Sequence, residues 1–296
     1  MKQREEQWSA LRLHVQREWG DLLAAELAVL GIGVESRVHP ENVEVEELTA
    51  FLRRPEQEGE MRGWVERRVR DLGGDPATLQ MRVEVVDDGH WVERFQAGLE
   101  PFELGQSYVV FPRGRIESDH KERRPLLLIP GRAFGTGEHA TTQLCVEQLE
   151  SRVQPGDRWL DLGCGTGILL LVAAAEGATE LLGIEIDPEA TEVAGEVVRS
   201  NRALVESRSK IDILCGGMEK IPGGEWDGAI CNISATFTRM HLDQLAGLPR
   251  SGGLLMISGI LSDDLDEVAS RLAGHGLVER ERRLRGPWAV LVAERR

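Results

Sequence analysis

The sequence predicts an α/β protein of two domains, in which a small ferredoxin-like α+β domain precedes a larger Rossmann-like domain with a doubly wound sheet. The chain has 296 residues, which is more than one typical domain needs. Hydrophobic patterns in the first 86 residues follow the order β-α-β-β-α-β, and from Leu126 onward strands and helices alternate. We therefore expect domains at residues 1–86 and 127–296, joined by a linker at residues 87–126.

The first domain shows two kinds of hydrophobic periodicity. Apolar residues recur near alternate positions in residues 8–15, as in a strand, whereas residues 18–30 have the spacing of an amphipathic helix that Gly31 ends. A second helix is predicted at residues 57–71. Further strands are predicted at residues 32–38, 43–48 and 79–86. This order of elements is that of a ferredoxin-like split βαβ unit.

The linker is predicted to contain little regular structure. A short helix is expected at residues 91–99 and a strand at residues 107–111. The stretch from Arg113 to Arg124 is rich in charges of both signs that nearly cancel, so we interpret it as a solvated loop. A catalytic or RNA-binding role for this stretch is the alternative.

The second domain is predicted to contain a mostly parallel sheet with helices on both faces. Its candidate strands are residues 159–162, 180–186, 211–215, 228–232, 254–258, 277–284 and 289–293. Only a short turn at Gly286-Pro287 separates the last two strands, which predicts that they form an antiparallel hairpin.

Composition and charge exclude several classes of protein. The chain has 35 basic and 50 acidic residues, a net charge of −15, and its first 80 residues hold 11 basic and 16 acidic residues. It therefore lacks the basic face of a nucleic-acid-binding protein, and its charge suits a basic partner or serves solubility alone.

No apolar run reaches the roughly 20 residues of a membrane span, and the polar N-terminus lacks the apolar core of a secretory signal. We expect a cytoplasmic monomer.

The four cysteines indicate neither a metal site nor a disulfide framework. Cys145, Cys164, Cys215 and Cys231 form no CxxC pair and no cluster with histidines at metal-ligand spacing. Each is therefore predicted to be a small buried hydrophobic residue, and no bound metal is expected.

A glycine loop, which we define as Asp161–Gly167, lies between a predicted strand and a predicted helix. Gly163, Gly165 and Gly167 let the chain turn sharply and let a ligand lie against the main chain. A dinucleotide site has the spacing GxGxxG and binds a pyrophosphate, which the Asp161 carboxylate would repel. S-adenosylmethionine carries a positive sulfonium and an ammonium group, so an acid here favours that cofactor and a Rossmann-like methyltransferase fold. A tight turn without a ligand is the alternative.

A second acidic position follows the glycine loop by about 20 residues, at the end of the next predicted strand. Glu185 has the spacing of an acid that binds the two ribose hydroxyls of a nucleoside. Asp187 precedes Pro188 and is the weaker candidate, because it has the position of a helix cap. The adenine ring is expected near residues 216–218, after the third strand.

The acceptor site is predicted at the end of the fourth strand, because ligands of open parallel sheets bind outside the carboxyl ends of the strands. Asn232 lies there, and its amide oxygen together with the carbonyl of Ile233 can accept hydrogen bonds from an amine. Catalysis would then proceed by positioning the amine for in-line displacement. Alternatively, Asn232 only caps a turn. The nearest candidate for a general base is His139, for which a structural role is the alternative.

Five motifs together resemble the ribosomal protein methyltransferases of the PrmA type. That family carries an AFGTGxHxTT stretch, a DxGCGxG loop, a GIDID-like strand, an ANI-like strand end and a late SGI-like strand. In this sequence they correspond to Ala133–Thr142, Asp161–Gly167, Gly183–Asp187, Cys231–Ile233 and Ser258–Ile260. The family modifies amines on the eleventh protein of the large ribosomal subunit.

The resemblance implies a set of site residues and a substrate. It implies cofactor contacts from Thr142, Gly163, Glu185 and Asn232, each at its matching motif position. It also implies that the small N-terminal domain recognises the ribosomal protein, and that the products are methylated α-amino and lysine ε-amino groups.

The sequence departs from the family pattern at four positions. Glu185 replaces the usual Asp, Cys231 replaces Ala, Ser234 replaces Leu and Phe95 replaces a second linker tryptophan. The first two changes are expected to preserve methyl transfer, whereas the last two bear on the choice of protein substrate. Three alternative functions remain open, namely an RNA methyltransferase, a non-catalytic protein that binds S-adenosylmethionine, and an N-methyltransferase for small molecules.

Overall fold

The computed structural model divides the chain into two compact units, residues 1–98 and 99–296. The described residues are 8–16, 19–20, 23–24, 27, 33–39, 42–52, 57–71, 73–86, 100–112, 116, 122–128, 137, 139–203, 209–222 and 226–296. The helix predicted at residues 91–99, Phe95 within it, and the family stretch at residues 133–136 lie outside these ranges.

The first unit contains a four-stranded antiparallel sheet with the order β2-β3-β1-β4. Its elements are β1 (Trp8–Gln16), β2 (Gly33–His39), β3 (Asn42–Leu52), α1 (Gln57–Asp71) and β4 (Gln80–Val86). The described residues between β1 and β2, which are residues 19, 20, 23, 24 and 27, are helical. The order of elements and the strand order confirm the ferredoxin-like prediction.

One face of this sheet forms the core of the first unit. Leu11, Leu13 and Val15 alternate along β1 on the buried face, as the period of a strand requires. They belong to one hydrophobic cluster with residues of the two helical segments, namely Leu23, Leu27, Met61, Val65 and Val69. Burial of each such side chain contributes roughly 1.5–3 kcal/mol, so the cluster fixes both helical segments on the sheet.

The second unit is built on a seven-stranded sheet with the order β10-β9-β8-β11-β12-β14-β13. Its strands are β8 (Arg158–Leu162), β9 (Glu180–Glu185), β10 (Lys210–Cys215), β11 (Trp226–Asn232), β12 (Pro249–Leu261), β13 (Leu277–Arg285) and β14 (Trp288–Arg295). The first five strands in this order pair in parallel, whereas β14 is antiparallel to both β12 and β13. The predicted parallel sheet and its closing hairpin are therefore confirmed.

Among the described residues of the second unit, one α-helix precedes β8 and four more lie between strands of the large sheet. They are α2 (Ala140–Arg152), α3 (Ile168–Ala175), α4 (Pro188–Asn201), α5 (Ala235–Ala246) and α6 (Leu265–Gly274). Helix α3, which follows the glycine loop, is apolar on every side and is buried from Ile168 to Ala174. No helix among the described residues is long and apolar enough to cross a membrane.

A second, three-stranded sheet lies within the stretch that the sequence assigned to the linker. It consists of β5 (Phe102–Leu104), β6 (Tyr108–Phe111) and β7 (Arg124–Leu127), and we call it the small sheet. The prediction of a solvated loop is wrong at its C-terminal end. Arg123 donates to the carbonyl oxygen of Gly105 over 3.0 Å, and Arg124 begins a strand because its main chain pairs with β6.

Buried polar side chains fasten the small sheet to the helices of the second unit. Asn201, at the end of α4, accepts from the N–H of Leu127 over 2.8 Å and donates to its carbonyl oxygen over 2.7 Å. The hydroxyl of Tyr108 donates to the carboxylate of Glu176 over 2.5 Å, and the Arg124 guanidinium binds the same carboxylate. The small sheet therefore belongs to the second unit.

Three of the four cysteines are buried as predicted. Cys145, Cys164 and Cys231 lie in the core of the second unit, whereas Cys215 is exposed, so the prediction is wrong for Cys215. The reason is its position at the end of β10, which lies at the edge of the sheet beside β9. The described residues contain no group of three or more potential metal ligands.

Candidate active site

The carboxyl ends of β8, β9 and β11 lie side by side in the sheet. Leu162, the last residue of β8, is in register with Ile184 of β9 on one side and with Cys231 of β11 on the other. The residues that directly follow these three positions are Gly163, Glu185 and Asn232. The structure thus brings the three motifs that the sequence singled out to one edge of the sheet.

The glycine loop has the conformation that its sequence predicts. Gly163, Gly165 and Gly167 all have positive φ angles, of +72°, +52° and +76°, which residues with a side chain rarely adopt. The N–H groups of Gly163 and Cys164 both donate to the carbonyl oxygen of Ile184, over 2.8 and 3.1 Å. These bonds fix the loop against the end of β9, and α3 begins directly after it.

The carboxylate of Glu185 joins the glycine loop to the start of α4. One oxygen accepts from the N–H of Gly165 over 3.0 Å, and the other accepts from the N–H of Asp187 over 3.1 Å. Asp187 itself caps α4 by accepting from the N–H of Glu189 over 2.9 Å. The two acids therefore have different positions, since Glu185 faces the loop and Asp187 faces the helix.

Asp161 is a buried carboxyl group at the start of the glycine loop. Its side chain is 1% exposed, and none of the described residues hydrogen-bonds to either of its carboxyl oxygens. Burial, and secondarily the negative charge of Glu185, raises the pKa of Asp161 to about 7. A buried carboxylate without a partner suits a ligand that brings a positive charge, so this position fits a sulfonium or ammonium group.

Two apolar side chains lie exposed beside Glu185, and neither was predicted from the sequence as part of the site. Ile186 directly follows Glu185 and is 77% exposed, and Leu214 on the neighbouring strand is 40% exposed. The predicted adenine segment begins at Gly216, whose N–H donates to the carbonyl oxygen of Glu185 over 2.8 Å. An apolar residue between two acids at the end of a strand could have indicated this surface in the sequence. A flat apolar ligand group could bind there by covering the exposed side chains.

The first turn of α2 contains the predicted residue Thr142, which is buried. His139 caps this helix, because its Nδ1 accepts from the N–H of Thr141 over 3.3 Å and lies 2.8 Å from the Thr141 hydroxyl oxygen. The His139 ring also meets Trp288 edge to face at 4.9 Å between centroids. These contacts give His139 the structural role that the sequence analysis named as the alternative to a general base.

Asn232 ends β11 and is partly exposed. None of the described residues hydrogen-bonds to its carboxamide, which therefore keeps its capacity to bind a ligand. Ser234, rather than Asn232, caps the helix that follows, because its hydroxyl accepts from the N–H of Phe237 over 3.2 Å. The alternative role of a turn cap is therefore filled by Ser234, one of the positions where the sequence departs from the family pattern.

The fold and the site together define the class of this protein. A parallel sheet closed by an antiparallel hairpin, an acid-led glycine loop after β8 and a second acid at the end of β9 are the features of an S-adenosylmethionine-dependent methyltransferase of the Rossmann-like class. The family model for ribosomal protein L11 methyltransferase (PrmA) matches residues 8–296. The chain belongs to this family, which confirms the resemblance seen in its motifs.

Named relatives agree with this assignment. A ribosomal protein L11 methyltransferase from Burkholderia multivorans is 37% identical over 226 residues, which cover 76% of this chain and 72% of that protein. A ribosomal protein L11 methyltransferase from Burkholderia mallei is 36% identical over 219 residues, which cover 74% and 70%. The crystal structure of a ribosomal protein L11 methylase from Lactobacillus delbrueckii subsp. bulgaricus matches 67% of this chain and all of that chain, with a TM-score of 0.59 and 26% identity.

Proposed function

We propose that this enzyme transfers methyl groups from S-adenosylmethionine to the α-amino and lysine ε-amino groups of ribosomal protein L11, the eleventh protein of the large subunit. The observation that carries the proposal is the meeting of Asp161, Glu185 and Asn232 at one sheet edge, in a chain that belongs to the L11 methyltransferase family. Asp161 supplies a buried carboxyl group and Glu185 an acid that faces the glycine loop, as a cationic nucleoside requires. Asn232 supplies a neutral carboxamide, as an amine acceptor requires.

The proposed cofactor residues surround the glycine loop. Asp161 would balance the positive charge of the cofactor, and Glu185 would bind the ribose hydroxyls with the lone pairs that its two main-chain hydrogen bonds leave free. Gly163, Gly165 and Gly167 expose the main chain of the loop to the cofactor because they carry no side chain. The remaining proposed contacts are Thr142, in the first turn of α2, and Asn232, at the end of β11.

Asn232 is the proposed catalytic residue. Its amide oxygen and the carbonyl oxygen of Ile233 would accept the N–H groups of the amine, so that the nitrogen lone pair faces the sulfonium methyl. When bound, S-adenosylmethionine would supply the methyl group: the S–C bond would break with its electron pair left on sulfur as the N–C bond formed, and the amine would release its proton to solvent. S-adenosylhomocysteine and the methylated amine are the products.

The two kinds of acceptor amine differ in the free energy that deprotonation costs at neutral pH. A lysine of pKa ~10.4 requires about 4–5 kcal/mol to be neutral at pH 7, whereas an α-amine of pKa ~8 requires roughly 1 kcal/mol. A nearby sulfonium charge and the loss of water both lower these costs. The α-amine is therefore the easier substrate, whereas a lysine depends more on the site to lower the cost of its deprotonation.

The first unit is proposed to recognise the protein substrate. Its ferredoxin-like sheet is separate from the sheet that holds the candidate site, and the net charge of −15 suits a basic partner. We also propose that the enzyme acts in the cytoplasm as a monomer and binds no nucleic acid directly, since the sequence offers no basic face.

Methyl transfer from radiolabelled S-adenosylmethionine tests this function. Purified enzyme is incubated with unmethylated large ribosomal subunits and, separately, with free L11, and mass spectrometry then locates the methyl groups. Label is expected in L11, on its α-amine and on lysines. Label in ribosomal RNA would support the RNA methyltransferase instead, and cofactor binding without any label would support a non-catalytic binding protein.

A further inference from the structure

Strand β12 contains a bulge directly beside the proposed acceptor site. Between Ile257 and Ile260, β12 has two residues where its partner β14 has one. These two residues are Ser258 and Gly259. The Ser258 hydroxyl donates to the carbonyl oxygen of Ala289 over 2.8 Å, and Gly259 has a φ of +72°. The main chain therefore leaves regular strand geometry at Gly259.

The missing side chain of Gly259 leaves room for the main chain of Ile233. A Cβ added at Gly259 would lie 2.7 Å from the carbonyl oxygen of Ile233 and 2.8 Å from its carbonyl carbon. Ile233 lies between the end of β11 and the start of α5, and its main-chain atoms cannot swing aside as the end of a flexible side chain does. Both the φ angle and this contact therefore require glycine at position 259.

The side chain of Ile233 packs against the glycine loop. A Cβ added at Gly163 would lie 2.8 Å from Cγ1 and 2.9 Å from Cδ1 of Ile233. Gly163 and Gly259 thus contact the same residue, one through its side chain and the other through its main chain. Any displacement of the Ile233 main chain changes the distance between the end of β11 and the loop that is proposed to bind the cofactor.

We propose that Gly259 is a positioning residue for methyl transfer, because it lets the Asn232–Ile233 segment lie where the acceptor amine has to be held. The inference rests on the proposed function, in which the Asn232 carboxamide and the Ile233 carbonyl bind the amine. Gly259 acts through Ile233. A displacement of about 1 Å in such a group can lower the rate of the chemical step by roughly 100-fold, so even a methyl group at position 259 should affect turnover.

Gly259→Ala and Gly276→Ala form a matched pair for the test. Gly276 lies in the turn between α6 and β13 with a φ of +81°, and a Cβ added there would have no atom within 4 Å beyond its own residue and its two chain neighbours. Both variants therefore carry similar backbone strain, but only Gly259→Ala meets Ile233. Relative to Gly276→Ala, the Gly259→Ala variant is expected to lower kcat on free L11 by about tenfold or more. In titration calorimetry, the affinity of Gly259→Ala for S-adenosylhomocysteine should fall by much less than its kcat, and that of Gly276→Ala should stay within about twofold of the unmodified protein.

Two results would overturn the proposal. One is equal kcat for the two variants, and the other is an affinity for S-adenosylhomocysteine that falls as much as kcat does, which would place the effect in cofactor binding. A failure of the proposed function itself looks different, because the unmodified enzyme would then leave L11 unlabelled.

A second set of variants separates the main chain of Ile233 from its side chain. Ile233→Ala added to Gly259→Ala should not restore kcat, since the contact is with main-chain atoms, and restoration would contradict the proposal. If Gly259→Ala does not fold, Ile233→Gly is used in its place. This substitution adds no atoms that could clash, and it makes the main chain at position 233 more flexible, so that it no longer holds the amine in one place. It is expected to lower kcat about tenfold below Ile233→Ala at unchanged S-adenosylhomocysteine affinity, and equal kcat would reject the positioning role.

Discussion

The carboxylate of Glu185 accepts a hydrogen bond from the N–H of Gly165 over 3.0 Å, so the acid at the end of β9 holds the glycine loop that follows β8. Its other oxygen binds the N–H of Asp187. The side chain is therefore oriented before any cofactor binds. Glutamate has one methylene more than the aspartate usual in the family, and these two bonds fix the longer side chain in place.

Replacement of Glu185 by glutamine should weaken cofactor binding. A glutamine keeps one acceptor oxygen but turns its NH₂ group toward a main-chain N–H, and it offers the ribose one acceptor fewer. We expect the affinity for S-adenosylhomocysteine to fall by about 10- to 100-fold, which corresponds to roughly 1.4–2.8 kcal/mol. Glu196→Gln, on the exposed side of α4, makes the same charge change as a control. Equal affinities for the two variants would remove Glu185 from the site.

The raised pKa of Asp161 makes cofactor binding depend on pH. The carboxyl titrates at about 7 in the free enzyme, and a cationic cofactor binds its ionised form. Affinity for S-adenosylmethionine should therefore rise by about tenfold between pH 6 and pH 8. Calorimetry across this range checks the slope, and Asp161→Asn should bind weakly at every pH. A slope that survives in Asp161→Asn would assign the titration to another group.

The same carboxyl should also lower the stability of the free enzyme at neutral pH. A pKa that is raised in the folded state means that folding favours the protonated form, so the free energy of unfolding falls as pH rises from the ordinary Asp range to about 7. Without cofactor at pH 8, Asp161→Asn is expected to unfold at a higher temperature than the unmodified protein. At pH 4 the two proteins should unfold at similar temperatures. A lower unfolding temperature for Asp161→Asn at pH 8 would contradict the assignment.

Asn232→Ala should abolish most turnover without unfolding the protein. The variant loses the amide oxygen that is proposed to hold the amine, and a misplaced acceptor costs about 100-fold in kcat. Its neighbour offers a matched control, because Ser234→Ala removes the cap of α5, at a cost of about 1 kcal/mol in stability, but leaves Asn232 intact. Turnover of Asn232→Ala equal to that of the unmodified protein would remove Asn232 from the mechanism.

Tyr108 and Glu176 should be coupled in stability. The Tyr108 hydroxyl is buried and donates to the Glu176 carboxylate over 2.5 Å, and a hydrogen bond to a charged group contributes about 1.5–3 kcal/mol. Tyr108→Phe should lower the free energy of unfolding by a similar amount. A double-mutant cycle with Glu176→Gln in denaturant should show a coupling of about 1 kcal/mol or more, and additive losses would mean that the bond is not formed.

The ionisation of Tyr108 offers an independent measurement. Burial, and then the hydrogen bond to Glu176, raises the pKa of this hydroxyl well above its usual value. Because the chain contains a single tyrosine, the absorbance of tyrosinate reports this residue alone. The absorbance should appear only on unfolding in strong alkali, and a normal titration near pH 10 in the folded protein would disagree with the structure.

The features that the sequence predicted are those with local causes. The glycine loop and the acid at Glu185 follow from glycine spacing and from the end of a hydrophobic strand, and the spacing of Pro188 after Asp187 predicted a helix cap. The strand predicted at residues 107–111 is confirmed as β6, but its pairing with β7 was missed because a stretch of charged residues separates the two strands. Periodicity in a few residues cannot reveal such a pairing.

Contacts between distant residues could not be predicted at all. Asn201 binds the main chain of Leu127, which lies 74 residues earlier, and no pattern near either residue indicates this contact. The exposure of Cys215 depends on which strand lies at the sheet edge, and hence on the strand order. The close approach of Gly259 to Ile233 likewise arises only when β12 is placed beside β11.

The contacts between the small sheet and the helices of the second unit determine where the chain can be truncated or fused to another protein. A fragment that began at residue 127 would lose Glu103 and Gly105, which bind the Gln143 carboxamide, and Tyr108, which binds Glu176. A buried polar group that loses its partner costs about 1–3 kcal/mol, which is a large share of the stability of a domain. A fusion of the second unit to a different substrate-binding domain should therefore begin near Leu99, the first residue of that unit.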